Sequence, residues 1–327
     1  MNEPIIQIVT KLHDLPLLDN SNFFHSRQLF EIAKLTPRQR PYMAIALTAD
    51  GRVMGHMLAI VRYRTLWLPP YLYKHCRILG EGVYSYPHEG FTPAQLFGLM
   101  LESLRNTLGS QTFYIEVSNL SEKMFAYREL KQLKFFPVHW MSIHNSLHSH
   151  TPEERISERL KKHIDNAYTR GVVTDEVKTE DDFQEFFKLL KHHHWLKPKR
   201  YIPDKKFFYD IKQKGHGRLF LTRYRNRTIG CSAVAYSKQN AYLWYTAFRR
   251  KSYALVHPDE LTLWHVLKDS HQRGYQHVYF LDVGLPFSRN PFREFILRFG
   301  GKPVSTFRWF RCSMRWINTL LSWIYRD

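Results

Sequence analysis

The sequence predicts an α/β chain in which one α/β (α+β) unit occurs twice, each copy a mixed, mostly antiparallel sheet flanked by helices. Three observations predict it. Apolar residues alternate along the chain between helical spacing and short strand-like runs. Proline and glycine punctuate at matching places: "TPAQL" from 92 and "HPDEL" from 257 each open a helix on a proline, and Gly109 and Gly274 close them, all at one offset. After each glycine the pattern continues in step, "QTFYIEV" falling on "QHVYFLDV" and "LKFFPV" near "LRFGGKPV" with a small slip. The 327 residues, 44% hydrophobic and 24% charged, suit two folded domains of about 150 residues each. The expected boundaries are 1–150, 151–310 and a closing amphipathic helix over 311–327.

In the first unit "SRQLFEIAKL" reads as a helix. "YMAIAL" and "VMGHMLAIV" are strands flanking Ala49-Asp50-Gly51, whose Asp-Gly pair suits a hairpin turn. "CRILGEGVY" is a strand, "TPAQLFGLMLESLRNTLG" a helix and "TFYIEV" a strand. A helix near "KMFAYRELKQL" and the strand "HWMSIHNSL" complete the unit. The second begins with "TPEERISERLKKHIDNAYTRG", a helix with a capping box at Thr151 and Glu154 and a stop at Gly171. "DDFQEFFKLLKHHHW" and "DKKFFYDIKQKG" are helices. "RLFLTRY", "IGCSAVAY" and "AYLWYTAF" form a three-stranded meander with turns at "RNRT" and "SKQN". A helix from Pro258 to Gly274, the strand "HVYFLDV", a short helix at "FREFILRF" and a strand near "VSTFRWF" follow.

Net charge is +19, of which residues 1–150 carry +4 and the remainder +15. An excess of this size on one half implies a polyanionic partner such as tRNA, a nucleotide-linked precursor or an anionic membrane surface. Cys76, Cys231 and Cys312 lie far apart with no CxxC, which excludes a zinc ribbon or a disulfide framework and suits a reducing cytoplasm. The opening "MNEPIIQIVT" has an early acid and only a short apolar run, unlike a signal peptide.

"KHHHWLKPKR" at 191–200 invites a zinc reading. Three consecutive histidines point about 100° apart on a helix and cannot converge on one ion from regular structure. The stretch is instead the exit of an amphipathic helix broken by Pro198, and no metal site is expected.

The repeated order of helix, antiparallel strands, helix, strand, helix and strand is that of the GNAT acyltransferase fold. With "NFFHSRQLFEIAK", "RLKKHIDNAYTRGVV" and "NPFREFILRFGG" in that order, the chain resembles the FemAB family of peptidoglycan-bridge aminoacyltransferases over about 20–312. The resemblance implies a tandem GNAT-like enzyme that moves an aminoacyl group from tRNA to an amine of a cell-envelope precursor, without metal or other cofactor. CoA-using GNAT proteins carry a Q/R-x-x-G-x-G/A turn that holds the pyrophosphate at a helix N-terminus. Here that junction reads "TAFRRKSYALVHPDEL", without glycine, which favours charged tRNA as donor over acyl-CoA. A CoA- or carrier-protein-dependent N-acyltransferase and a non-catalytic RNA- or membrane-binding protein on the same fold are the alternatives.

Strand position marks Asp282, and the resemblance marks most of the other candidate residues. Asp282, at the end of "YFLD", would orient or deprotonate the amine; Glu116 holds the matching place in the first half. Tyr245 falls on a family tyrosine associated with the acceptor. The lysine of the family's "FK" pair falls on Ile296, so Arg298, or Arg293 a turn away, would supply the positive charge, with Phe295 at the site wall. Arg27 and Lys34 match the acceptor-binding segment. Arg200 and Tyr201 follow the histidine stretch beside the acceptor cleft, and Trp195 would stack on a base or sugar. In the last segment Trp316, Ile317, Leu320, Leu321, Trp323 and Ile324 line one helical face, suited to packing on the domain or to peripheral contact with the inner membrane surface.

Overall fold

The computed structural model describes residues 3–65, 72–85, 90–194, 201–281, 283–285 and 289–325. These residues form two compact units, 1–140 with 305–327, and 141–304. Both are α/β, as expected, with mixed and mostly antiparallel strands.

The first unit builds its sheet from β1 (Ile5–Val9), β2 (Gln39–Leu47), β3 (Val53–Thr65), β4 (Leu72–Leu79) and β6 (Tyr114–Ser118), with β5 (Val83–Tyr84) pairing β3. The β2–β3 hairpin turns at Gly51, whose φ of 83° favours glycine. α1 (Arg27–Leu35) starts on Ser26, which accepts from the Leu29 amide. α2 (Pro93–Leu108) has the Thr92–Gln95 capping box. It buries Leu96, Phe97, Met100, Leu101 and Leu104 against Cys76, Ile78, Ile115, Val117 and Trp309. Each such side chain contributes about 1.5–3 kcal/mol through burial. α3 (Tyr127–Gln132) is shorter than the spacing predicts, because Ala126 is left-handed and bounds it.

The second unit runs α4 (Glu158–Thr169), β8 (Val172–Glu176), α5 (Glu180–His194), α6 (Lys205–Gln213), β9 (Gly217–Tyr224), β10 (Arg227–Ser237), β11 (Asn240–Phe248), α7 (Pro258–Gln272), β12 (His277–Phe280) and α8 (Pro291–Leu297). β8, β9, β10 and β11 are antiparallel neighbours and β12 joins β11 in parallel. The capping box at Thr151 closes a single 3-10 turn; Ile156 is extended and Ser157 caps the true helix α4.

The boundaries fall at 140 and 304, earlier than the expected 150 and 310, and each lies within a strand. β7 (Phe136–Ser146) pairs β12 through Ile143–Ser146, inside the second unit. β13 (Lys302–Cys312) pairs β6 through Trp309–Cys312, inside the first. Each unit therefore takes strand residues from the other half of the sequence. α9 (Arg315–Ile324) belongs to the first unit. Among the described residues, no helix is long and apolar enough to cross a membrane.

Candidate active site

The two parallel strand pairs differ, and the difference locates the site. In the first unit β4 stays paired with β6 from His75 to Leu79, its last residue, and the Gly80 amide still donates to Ser118 at 2.8 Å. In the second unit the β11–β12 ladder ends at Leu243 opposite Phe280, with the Leu281 amide donating to Leu243 at 3.3 Å, but β11 runs on unpaired with β12 to Phe248. A narrow wedge lies there, lined by Leu243, Trp244, Tyr245, Thr246, Phe280, Leu281 and Phe292, too tight in this structure to admit a water molecule.

Local sequence produces this wedge. Ala233 pairs Tyr245 but Val234 pairs Leu243, so Trp244 is an extra residue that bulges β11 and turns it from β12. Phe207 packs edge-on to Trp244 at 5.3 Å and Phe208 on Tyr245 at 5.2 Å, which hold the bulge from behind. α5 crosses β9, β10 and β11, and its last turn reaches the departing strand. There His194 Nε2 is 3.0 Å from the Thr246 carbonyl oxygen and His193 Nδ1 3.0 Å from that of Phe248. Two of the three consecutive histidines thus bond the β11 backbone past its last pair with β12. A buried carbonyl needs such a partner.

The N-terminus of α7, immediately after β11, is filled by carboxylates. Asp259 and Glu260 are both buried in its first turn. Asp259 Oδ2 meets Arg250 Nε at 3.3 Å, and burial pushes its carboxyl up, Arg250 opposing. Glu260 Oε1 meets Arg298 at 3.2 Å; its Oε2 lies 3.2 Å from His163 and 3.6 Å from His257. His163, His257 and Glu260 are the group, among the described residues, spaced to hold a metal ion. Their two imidazoles, however, stack at 4.3 Å and 7°, so an ion in the plane of one ring would lie outside the plane of the other. Arg298 already supplies a cation there.

The sequence-assigned residues scatter around this frame. Tyr245 is in the wedge wall and buried. Phe295 packs on Phe292 at 6.2 Å and Phe299 at 5.3 Å, one layer behind Phe292. Arg293 is buried and donates to the Leu285 carbonyl, and Ile296 is wholly buried in the apolar core. Arg298 sits on Glu260 and over the Phe295 ring at 5.2 Å. Tyr201 is half-buried before α6. Arg27 and Lys34 lie on α1 of the first unit, where they are exposed and donate to the carbonyls of Leu15 and Thr10. Asp282, Trp195 and Arg200 lie outside the described residues. Trp244 and the α7 carboxylates escaped sequence reasoning. A bulge shows only in strand register, whereas "HPDEL" was legible as a helix start whose two acids could have been weighed.

In the first unit Glu116 faces no wedge. It is buried with Arg77 at 3.1 Å, Arg308 at 3.2 Å and His75 at 2.9 Å. Burial alone would raise its carboxyl, but these partners hold it well below the usual carboxylate range. Cys76 and Cys231 are buried, and burial pushes both thiols up, so neither offers a thiolate.

Residues 155–289 match the model of an acetyltransferase (GNAT) domain. The second unit is a GNAT domain. Three solved structures resemble the longer chain. FemX superposes with a TM-score of 0.61 at 13% identity, over 92% of this chain and 94% of that one. L-PGS from Bacillus licheniformis gives 0.58 at 9%, over 91% and 92%. A tandem GNAT protein from the clavulanic acid biosynthesis pathway gives 0.54 at 11%, over 95% and 99%. At these identities the likeness is one of fold, here the tandem GNAT fold. No curated protein matches the chain.

Proposed function

We propose that this GNAT-fold chain is an acyltransferase of the aminoacyl kind, which carries an aminoacyl group from a tRNA-like donor to an amine of an anionic cell-envelope precursor at the wedge of the second unit. The observation that supports it is the carboxylate-filled N-terminus of α7. The CoA pattern needs that terminus, with a glycine turn before it, for a pyrophosphate. Here Asp259 and Glu260 take the place of the anion and would repel a second one, and no glycine occurs from 249 to 257. The excess of basic residues in the second half suits a large polyanion held over a surface.

In the reaction the amine nitrogen attacks the ester carbonyl carbon, a C–N bond forms, and the C–O bond to the donor breaks. The amine proton passes to a base, for which Asp282, two positions after Phe280 in the sequence, is the candidate, and the leaving alkoxide takes up a proton. Tyr245 at the wedge wall would position the acceptor, with Arg293 and Arg298 as the nearby positive charges. Arg27, Lys34, Arg200, Tyr201 and Trp195 are proposed substrate contacts, with Phe295 shaping the wall. Orientation of the two reactants supplies much of the rate in such a transfer.

Binding of the purified chain to an aminoacyl-tRNA pool and to acetyl-CoA, each at low and moderate salt, tests the donor. The expected result is tRNA binding that weakens steeply with salt, and no acetyl-CoA binding. Acetyl-CoA binding without tRNA binding would overturn the aminoacyl reading and leave the CoA-dependent alternative.

A further inference from the structure

Helix α9 is attached to its unit by the wrong side for a packed helix. Asn318 fixes it, accepting from the Cys312 amide at 2.8 Å and donating to the Lys134 carbonyl at 3.0 Å. Tyr325 stacks on Phe136 at 6.2 Å and 9°. At about 100° per residue, Trp316, Leu320, Trp323 and Ile324 fall together on the opposite side of the helix from Asn318 and Tyr325. They are the exposed ones: 68%, 49%, 68% and 54% of their surface is open, and no residue of α9 is buried.

The charge around this face selects its occupant. Arg315 on α9 is an exposed cation, as are Lys131 and Lys134 beside its seat, whereas Arg308 is already paired with Glu116. Lys134 holds the helix by its carbonyl, and Lys131 lies one turn before it on α3. A second copy packed face to face would set these cations against their own equivalents. Acidic headgroups would neutralise them, while tryptophan rings suit the boundary between headgroup and acyl chain. A ten-residue helix is about 15 Å long, half the thickness of a bilayer core, so it lies along a surface and does not span it.

We infer that α9 is an interfacial anchor that binds this protein to anionic lipid surfaces through Trp316, Leu320, Trp323 and Ile324. The inference rests on the first unit alone and is independent of the donor proposed for the second.

The test is sedimentation of the purified full chain with vesicles of phosphatidylcholine, alone or with about one-third phosphatidylglycerol. The wild type should sediment with the anionic vesicles and release as salt rises. The double variant Trp316→Ser, Trp323→Ser should bind them at least about tenfold more weakly. Its thermal unfolding should be unchanged, since exposed side chains contribute little to stability. Equal sedimentation of wild type and double variant would overturn the anchor. So would a wild type that ignores both vesicles and forms, by light scattering, a dimer that the same substitutions dissolve.

Discussion

Glu116 and His75 form a buried pair whose charges are fixed by their neighbours, and this makes part of the stability depend on acid. Burial pushes His75 down to about 4 and, elsewhere in the same unit, His56 down to about 4. Both fold neutral, whereas in the unfolded chain each titrates near 6.5. Between those values the unfolded chain binds more protons, so stability falls as pH drops from about 6.5 toward 4, by an amount on the order of a few kcal/mol. The depressed Glu116 carboxyl adds a further loss only below its ordinary value of about 4.3. Denaturant unfolding at pH 7.5 and pH 5 should show the drop, and His75→Gln should flatten it; an identical slope in the variant would remove His75 as a cause. At this scale the sequence was legible by chain position and illegible by partner. Glu116 was found as the counterpart of Asp282, but Arg308, which meets it, lies far along the chain. Arg298 was singled out as a positive charge, while Glu260, its partner, stayed hidden because the first turn of α7 and the end of α8 meet only in the fold.

The seat of α7 depends on one glycine. A Cβ on Gly230 would lie 2.2 Å from Thr262 Oγ1 and 3.3 Å from the Pro258 carbonyl oxygen. Thr262 is itself tied to that carbonyl at 2.7 Å and to Thr222 at 2.6 Å. Gly230→Val should therefore lift the first turn of α7 from β10 and cost about 1–3 kcal/mol, measurable as a lower unfolding midpoint; an unchanged midpoint would show that the turn yields freely. Most helices and the meander were readable from spacing and punctuation, because Pro93, Gly109, Pro258 and Gly274 bound them locally. β1 and β8 were not read. Each is five residues long, and β8 follows Gly171 directly with a charged tail. Pairing, and not local pattern, makes such short runs strands. The histidines of α5 were likewise legible as a helix end, but their bonds to the β11 backbone follow from its departure from β12.

For the whole molecule the duplication was visible and the exchange of strand residues was not. Sequence similarity placed "HWMSIHNSL" with the first half and "VSTFRWF" with the second, yet their pairing residues serve the opposite units. Cutting the chain at 150 would deprive β6 of its Trp309–Cys312 partner and β12 of Ile143–Ser146. Residues 1–150 and 151–327 expressed apart should each be unstable and aggregate, since an uncovered sheet edge invites foreign pairing, and together they should restore a folded complex. Two separately stable, cooperatively unfolding fragments would contradict this.

The same exchange sets an order of events during synthesis. β7 leaves the ribosome long before β12, so the second unit finds that strand already waiting. The first unit does not: β6 must remain open until residues 309–312 emerge, nearly two hundred positions later. At about 5–20 residues per second that is roughly ten to forty seconds. Through that interval the nascent chain carries an unfinished sheet, the state in which foreign strand pairing competes most directly with folding.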